Sequence, residues 1–272
     1  MTRLVHLTDL HFGFHREDLV APLAQAVRDV TPDLVVVSGD LTHRARVGQF
    51  RQARAFLDGL GVGYIAMPGN HDMPLFNLPL RLFAPFMPWR RIMGRNLAED
   101  WVGPDVQVIA ANTADPFQWR RGYLRPEDVR RLRGRLQSCP EDQMTVLACH
   151  HPVMEPPGFD RGETRGAAKA LPLLAEAGLG IVLSGHLHCW ETGVGMAQMG
   201  PQPVLIVQTG TALCARVGEV DHGFSVLDLG GSEVKITKWI VDEPSKTFRA
   251  QSALGFHRAN GLWRALHPTA PS

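Results

Sequence analysis

The sequence predicts an α/β fold in which two β-sheets are flanked by helices. Three observations carry that reading. Short β-rich runs alternate with longer helical patterns as far as Ser184, the signature of strand–helix–strand crossovers. Several of those runs are continuously apolar, as strands buried on both faces are. Beyond Ser184 no long helix is evident, and β-rich runs follow one another directly. Hydrophobic residues make up 44% and charged residues 20% of the 272, which excludes wholesale disorder and is enough for a large core. No repeat, low-complexity tract or linker composition divides the chain. A single domain is therefore expected over residues 1–241, with an insertion or lid at 74–100. Residues 242–272 are expected to be a C-terminal extension that packs on the domain or trails from it.

Taken in order, Arg3–Thr8 reads as the first strand. Glu17–Val30 carries Leu19, Val20, Leu23, Ala24, Ala26 and Val27 at helical spacing. Leu34–Ser38 is apolar without a break up to Ser38 and reads as a buried strand. Val47–Leu60 is a second amphipathic helix, with Phe50, Ala53, Phe56 and Leu57 on one face and Gly59, Gly61 and Gly63 bracketing its end. Val62–Met67 is the third strand. Pro74–Arg91, rich in Pro, Phe, Met and Trp, is a helix or loop insertion. Val106–Ala111 is a strand, and Pro126–Gln137 is a helix opened by proline in its first turn. Met144–Cys149 and Leu179–Ser184 are strands on either side of a helix at Thr164–Ala177. Val204–Gln208, Gly223–Leu229 and Glu233–Val241 are consecutive strands, the last two joined by the hairpin signal Gly230-Gly231-Ser232. From about Asp242 onward no period is clear.

Net charge is +1, so no global electrostatic case exists for nucleic acid or membrane binding. Met1 to Leu10 is too short and too polar for a secretory segment, and no window approaches a membrane span. Cys139, Cys149, Cys189 and Cys214 form no CxxC pair. A soluble protein of a reducing cytoplasm is expected. The unusual feature of the composition is histidine, of which there are twelve.

Their positions are informative. Asp9 and His11 follow the first strand, Gly39-Asp40 the second, and Gly69-Asn70-His71-Asp72 the third. His150-His151 follow the strand ending at Cys149, and Gly185-His186-Leu187-His188 follow the one ending at Ser184. All lie at carboxyl ends of strands, the edge where open α/β sheets bind ligands. A lone histidine after a strand is more often structural, and Gly-Asp and Gly-Asn are common turn dipeptides. Five such segments in one chain are not coincidence. Carboxylate, imidazole and amide oxygen suit divalent Mn, Fe, Zn, Co or Ni rather than Cu(I) or an iron–sulfur cluster. Asp-x-His and His-x-His would set each pair on one side of an extended segment. About seven donors exceed the needs of one tetrahedral zinc and suit two ions, roughly 3.5–4 Å apart, sharing a carboxylate.

In order and spacing, Asp9-Leu10-His11, Gly39-Asp40, Gly69-Asn70-His71-Asp72, His150 and Gly185-His186-Leu187-His188 resemble the calcineurin-like metallophosphoesterase family. The likeness runs from about Arg3 to Val241. Within the family, Thr8-Asp9-Leu10-His11-Phe12 and Gly39-Asp40-Leu41-Thr42 are most similar to the bacterial class III cyclic-nucleotide phosphodiesterases. The protein-phosphatase motif G-D-x-V-D-R-G is absent. The resemblance implies a four-layer αββα sandwich of two mixed sheets. It implies one ion on Asp9, His11, Asp40 and His188, and another on Asp40, Asn70, His150 and His186, with manganese or iron first among the metals. An alternating strand would let only one of His150 and His151 face the ions, and the family uses the first.

The chemistry expected is hydrolysis of a small phosphodiester, a cyclic nucleotide first, by a metal-bridging hydroxide. Two divalent ions, the Asp9 and Asp40 carboxylates and that hydroxide sum to one positive charge, matched to a diester monoanion. His71 is the candidate proton donor to the leaving group, or a hydrogen-bond partner of a phosphate oxygen. Asp72 either orients His71 or caps the next turn. His6 and His43 are read as packing or supporting residues, and His222, His257 and His267 as surface or core. Cys149 and Cys189 should point away from the ions, as small buried hydrophobes rather than a disulfide pair. Pro74–Arg91 is read first as cover for the core, otherwise as a lid or a homodimer surface. Phe117–Tyr123 mixes cations and aromatics that could stack a base and hold a phosphate. Pro152–Gly166 would form a rim loop. The rival readings are a nuclease, a nucleotide-sugar pyrophosphatase and a non-catalytic scaffold. Near-neutral charge argues against extended nucleic acid as a partner.

Overall fold

In the computed structural model, which describes residues 1–155, 164–195, 203–219 and 221–266, the first three apolar runs become parallel neighbours. They are β1 (Thr2–Leu7), β2 (Leu34–Ser38) and β3 (Tyr64–Met67). The crossovers are α1 (Glu17–Asp29), which buries Leu19, Leu23, Ala26 and Val27, and α2 (Val47–Asp58), which buries Phe50, Ala53, Phe56 and Leu57. Each set is one face of a 3.6-residue period. Two short helices, α3 (Leu78–Phe83) and α4 (Met87–Ile92), occupy the expected insertion.

A second sheet follows from β4 (Trp101–Val102), β5 (Val106–Ala111), β6 (Met144–Cys149), β7 (Ile181–Ser184), β8 (Glu191–Gly195) and β9 (Val204–Gln208), with α5 (Pro126–Gln137) and α6 (Ala167–Glu176) between its strands. Its order is β4-β5-β6-β7-β9-β8, parallel in the middle and antiparallel at both edges. The chain then returns to the first sheet through β10 (Gly223–Gly230), β11 (Glu233–Asp242), β12 (Thr247–Ala259) and β13 (Leu262–Ala265). That sheet runs β13-β12-β11-β10-β1-β2-β3. The expected hairpin turn joins β10 to β11, with Gly230 opposite Glu233.

Four strands escape the sequence pattern. β4 is only two residues long, and β8 carries two glycines, so neither gives a usable period. After Asp242, where an extension was expected, β12 and β13 complete the first sheet. The alternation there is masked by a register shift opposite Lys238 and Trp239, which puts the two halves of β12 out of phase. Residues 267–272, with His267, lie outside the described residues.

Three apolar layers hold the four structural layers together. Val5, Leu7, Val35 and Val37 pack against α1 and α2. Leu4, Val36 and Ile65 meet Val108, Val146, Ile181 and Leu205 between the sheets. Ile109, Leu147, Val182 and Ile206 pack against α5 and α6. Alternation along each strand sends neighbouring side chains into different layers. Among the described residues no helix is long and apolar enough to cross a membrane.

His6 interrupts the layer between the sheets. Its Nδ1 lies 2.8 Å from Thr209 Oγ1 and its Nε2 2.7 Å from Ser38 Oγ, so it links the two sheets by hydrogen bonds. Burial pushes its pKa down to about 3. In the unfolded chain it titrates near 6.5, so below that pH the unfolded state binds more protons and stability falls as pH falls. The loss approaches about 1.4 kcal/mol for each pH unit until the folded imidazole itself protonates. His6→Gln should flatten this acid dependence in urea unfolding measured at a series of pH values below neutrality. Equal slopes in the two proteins would remove His6 from the acid sensitivity.

Candidate metal centre

The carboxyl ends of β1, β2 and β3 meet those of β6 and β7 at one rim, and the polar segments named above converge there. They do so by leaving the extended conformation. Asp9, His11, Asp40, His186 and His188 have φ of 56°, 49°, 51°, 71° and 54°, in the left-handed region that side chains other than glycine's rarely adopt. The extended Asp-x-His and His-x-His geometry expected from sequence is thus corrected. Each such residue costs of order 1 kcal/mol and persists only where its surroundings over-determine it. Here neighbouring loops do so through Asp9 N–H to Gly39 O (3.1 Å) and His11 N–H to Asp40 O (2.9 Å).

The motif glycines are explained by the same crowding. A Cβ on Gly39, itself at φ 87°, would lie 2.6 Å from His150 Nδ1. One on Gly185 would lie 2.7 Å from Asp9 Oδ2 and closer still to Thr8 Oγ1.

Two groups of donors form around the Asp9 and Asp40 carboxylates, and the ring nitrogens of His11, His43 and His71 also lie within 4.8 Å of one another. In the first, Asp9 Oδ1 lies 2.9 Å from His188 Nε2 and 3.4 Å from His11 Nε2. His11 Nε2 is in turn 3.6 Å from Asp40 Oδ2. In the second, His150 Nε2 lies 3.4 Å from Asp40 Oδ1 and 3.3 Å from Asn70 Oδ1. A ring nitrogen of His186 is within 4.8 Å of those of His150 and His151. Asp40 therefore turns one oxygen to each group. Nitrogen and oxygen donors at this spacing fit two divalent ions. Cys214 also offers its sulfur beside His11 and His188, a neighbour the sequence did not single out.

His151 departs from expectation. His150 and His151 follow the last residue of β6, so strand alternation does not govern them, and both rings face His186 at centroid distances of 5.1 and 4.7 Å. Nδ1 of His151 is held by Thr113 Oγ1 at 2.8 Å, and its Nε2 is buried without a hydrogen-bond partner. His150 is the one that also reaches Asp40 and Asn70.

The supporting bonds orient the imidazoles. His150 Nδ1 donates to Ser38 O at 2.7 Å. His188 Nδ1 pairs with Glu219 Oε1, also at 2.7 Å. Glu219 lies in a stretch with no sequence period, far along the chain from His188, and nothing in the sequence marks it. Burial opposes charge throughout. Yet His150 and His71 hold the Asp40 carboxyl well below its usual range, and Asp40 in turn pushes His150 up to about 9.

His71 sits beside this cluster, its ring 4.9 Å from that of His11. Its Nδ1 donates to His43 O at 3.0 Å, and the two rings stack at 5.5 Å. Of the two roles expected for Asp72, its hydrogen bonds are those of a cap, and none of them goes to the His71 ring. Asp72 Oδ2 accepts N–H from Leu41 (3.1 Å) and Gly69 (3.0 Å), and Oδ1 accepts Thr42 N–H and Oγ1–H, both at 2.9 Å. It caps the turn after β3 and clamps the loop that carries Asp40. Burial and then Asp40 push its carboxyl up to about 7 against those donors.

Above the cluster opens a cleft of about 710 Å³, walled by Arg44, Trp119, Arg120 and Arg216. Of the aromatic–cation stretch only Trp119 and Arg120 reach it. The guanidinium groups of Arg125 and Arg165 lie over the Tyr123 ring, 5.1 and 5.0 Å from its centroid. Cys149 packs among the α5 and α6 side chains, away from the cluster. Much of the expected rim loop, 156–163, lies outside the described residues.

The calcineurin-like phosphoesterase family pattern matches residues 2–190. The chain is 29% identical over 201 residues to a probable cyclic nucleotide phosphodiesterase from Synechococcus sp., covering 68% of this chain and 72% of the relative. Its fold resembles that of a purple acid phosphatase from yellow lupin (Lupinus luteus) seeds, with TM-score 0.73 and 16% identity over 95% of this chain. The chain spans 54% of that phosphatase's length. A Vps29 variant from Entamoeba histolytica matches with TM-score 0.51 and 13% identity, over 94% of this chain and 99% of the variant. At such identities both likenesses show the fold alone.

Proposed function

The chain belongs to the calcineurin-like phosphoesterase family, and from that premise we propose that it is a binuclear metal-dependent phosphodiesterase acting on a small diester, a cyclic nucleotide first. The observation that carries the two-ion reading is Asp40, with one oxygen turned to each donor group. In this reading Asp9, His11, Asp40 and His188 hold one divalent ion, and Asp40, Asn70, His150 and His186 the other. Manganese or iron is the first expectation. Ions there supply water activation at neutral pH and charge neutralisation of the phosphoryl oxygens.

The remaining chemistry belongs to the chain. The His71 Nδ1–H bond to His43 O fixes the ring and commits Nδ1, so proton transfer to the leaving oxygen is from Nε2–H of the doubly protonated imidazolium, which becomes the neutral Nδ1–H ring. Trp119, half exposed, offers a face on which a base can stack. Arg44, Arg120 and Arg216 attract the anion into the cleft. Three arginines exceed what a single diester monoanion needs, and this favours one rival, a nucleotide-sugar pyrophosphatase.

A panel assay separates these readings. The metal-reconstituted protein should hydrolyse bis-p-nitrophenyl phosphate and cyclic AMP, with p-nitrophenyl phosphate a poor substrate. Chelation should abolish turnover and Mn or Fe restore it. Activity on the monoester alone would overturn the diesterase assignment. Preference for a nucleotide sugar over cyclic AMP would favour the rival. Inactivity on everything with no metal bound would leave a scaffold.

Glu219 should act through His188. A carboxylate behind a ligating histidine raises its basicity and fixes its tautomer. Glu219→Gln is expected to weaken metal retention by roughly 10–100-fold while leaving the fold intact. Metal titration by calorimetry checks this, and unchanged affinity would reduce Glu219 to a surface contact.

A further inference from the structure

The insertion after β3 inverts the usual burial rule. α3 buries one side chain, Arg81, and exposes Leu78, Pro79, Leu82 and Phe83. Phe83 is 87% exposed, and Phe76, just before the helix, is 80% exposed. A helix on a water-facing surface normally does the reverse.

The burial of Arg81 is specific. Its Nε donates to Pro116 O (2.8 Å), one terminal nitrogen to Gln118 O (2.7 Å) and the other to Pro74 O (3.3 Å). Its guanidinium lies 4.7 Å from the Trp119 ring centroid. These bonds tie the 116–119 loop to α3, and that loop exposes Phe117 and Trp119 as well. The arginine that would have made α3 soluble is spent on joining two apolar projections. α4 then adds charge, with Arg90, Arg91 and, just beyond it, Arg95 exposed around Met87. Between Met73 and Ala98 the sequence contains no aspartate or glutamate.

We propose that this face docks on an anionic lipid surface. Exposed Phe, Leu and Trp beside a cluster of arginines are the pattern of interfacial segments, which bury the apolar side and leave cations at the headgroups. Neither helix is long enough to span, so the attachment is peripheral. Charge argues against a second copy of the chain as the occupant. A two-fold pairing presents the same patch on both sides, and the segment has no carboxylate to answer its own arginines. The chain's net charge of +1 conceals this local segregation. The face adjoins the cleft, because Trp119 belongs to both and Arg44 lies over the Phe76 ring at 5.2 Å. The inference does not depend on which phosphoester is the substrate.

The test is co-sedimentation of the metal-loaded full chain with vesicles of phosphatidylglycerol and phosphatidylcholine, against phosphatidylcholine alone, at low and high salt. The chain should pellet with the anionic vesicles at low salt and be released at high salt. The double variant Leu82→Asp/Phe83→Asp, changed only at exposed positions, should keep its thermal unfolding midpoint and lose pelleting. Arg90→Glu/Arg91→Glu should weaken it by at least about tenfold. No pelleting of the unsubstituted chain, or equal pelleting of all three proteins, overturns the proposal. So does a wild-type dimer, seen by light scattering, that the Leu82→Asp/Phe83→Asp variant dissociates, since that outcome makes the face a subunit interface.

Discussion

Asp40→Asn is expected to release both metal ions and to lower turnover of bis-p-nitrophenyl phosphate by at least roughly the 10²–10³-fold that loss of one charge-stabilising group costs. The reason is its position between the two donor groups. Oδ2 faces His11 and Oδ1 faces His150, so one substitution removes an anionic donor from each. Asparagine keeps the shape of the side chain and an oxygen to accept the His71 backbone N–H, which Asp40 Oδ1 now does at 2.9 Å. The fold should therefore survive, and an unchanged thermal unfolding midpoint would show it. Elemental analysis of the purified variant is the direct readout. Full metal content with undiminished turnover would show that the two groups do not share Asp40 as a bridge.

His71→Ala should behave in the opposite way, keeping its metal and losing rate. The ring is held by His43 O and lines the cleft, but its Nδ1 is committed to that carbonyl and the ring stands outside the Asp9–Asp40 pairings. A proton donor matters most when the leaving alkoxide is strongly basic. Turnover of a substrate with an alkoxide leaving group should fall by roughly 10²–10⁴-fold. Turnover of a p-nitrophenyl ester, whose phenolate leaves without help, should fall much less. That dependence on the leaving group separates proton donation from simple hydrogen bonding to a phosphate oxygen, which would slow both substrates alike. Equal rates in variant and wild type on both substrates would remove His71 from the mechanism.

Much of this architecture is legible in one sequence because the signals are local. Leu34–Ser38 is buried at every position and apolar up to Ser38 because the strand is covered on both faces, and Met144–Cys149 repeats the pattern with Thr145 its one polar residue. Leu19, Leu23 and Val27 mark the buried stripe of α1 without reference to anything distant. The donors are legible because each sits within four residues of the end of a strand. The two-residue β4, the glycine-bearing β8 and the register shift along β12 break the periodicity on which the reading relies.

The sequence by itself determined the α/β class, the strand ends and the identity of the metal-binding candidates, since these follow from hydrophobic period and residue type. Only the tertiary structure decided how those candidates face one another. The left-handed turns at Asp9, His11, Asp40, His186 and His188 are stabilised by contacts between loops remote in sequence, so no local pattern announces them. For the same reason the convergence of both His150 and His151 on His186, the support of His188 by Glu219 and the commitment of Asp72 to backbone donors were not readable in advance. The inverted α3 is the clearest case. Arg81 is buried because its partners are the carbonyls of Pro116 and Gln118, and a hydrophobic pattern cannot see hydrogen bonds made across the fold.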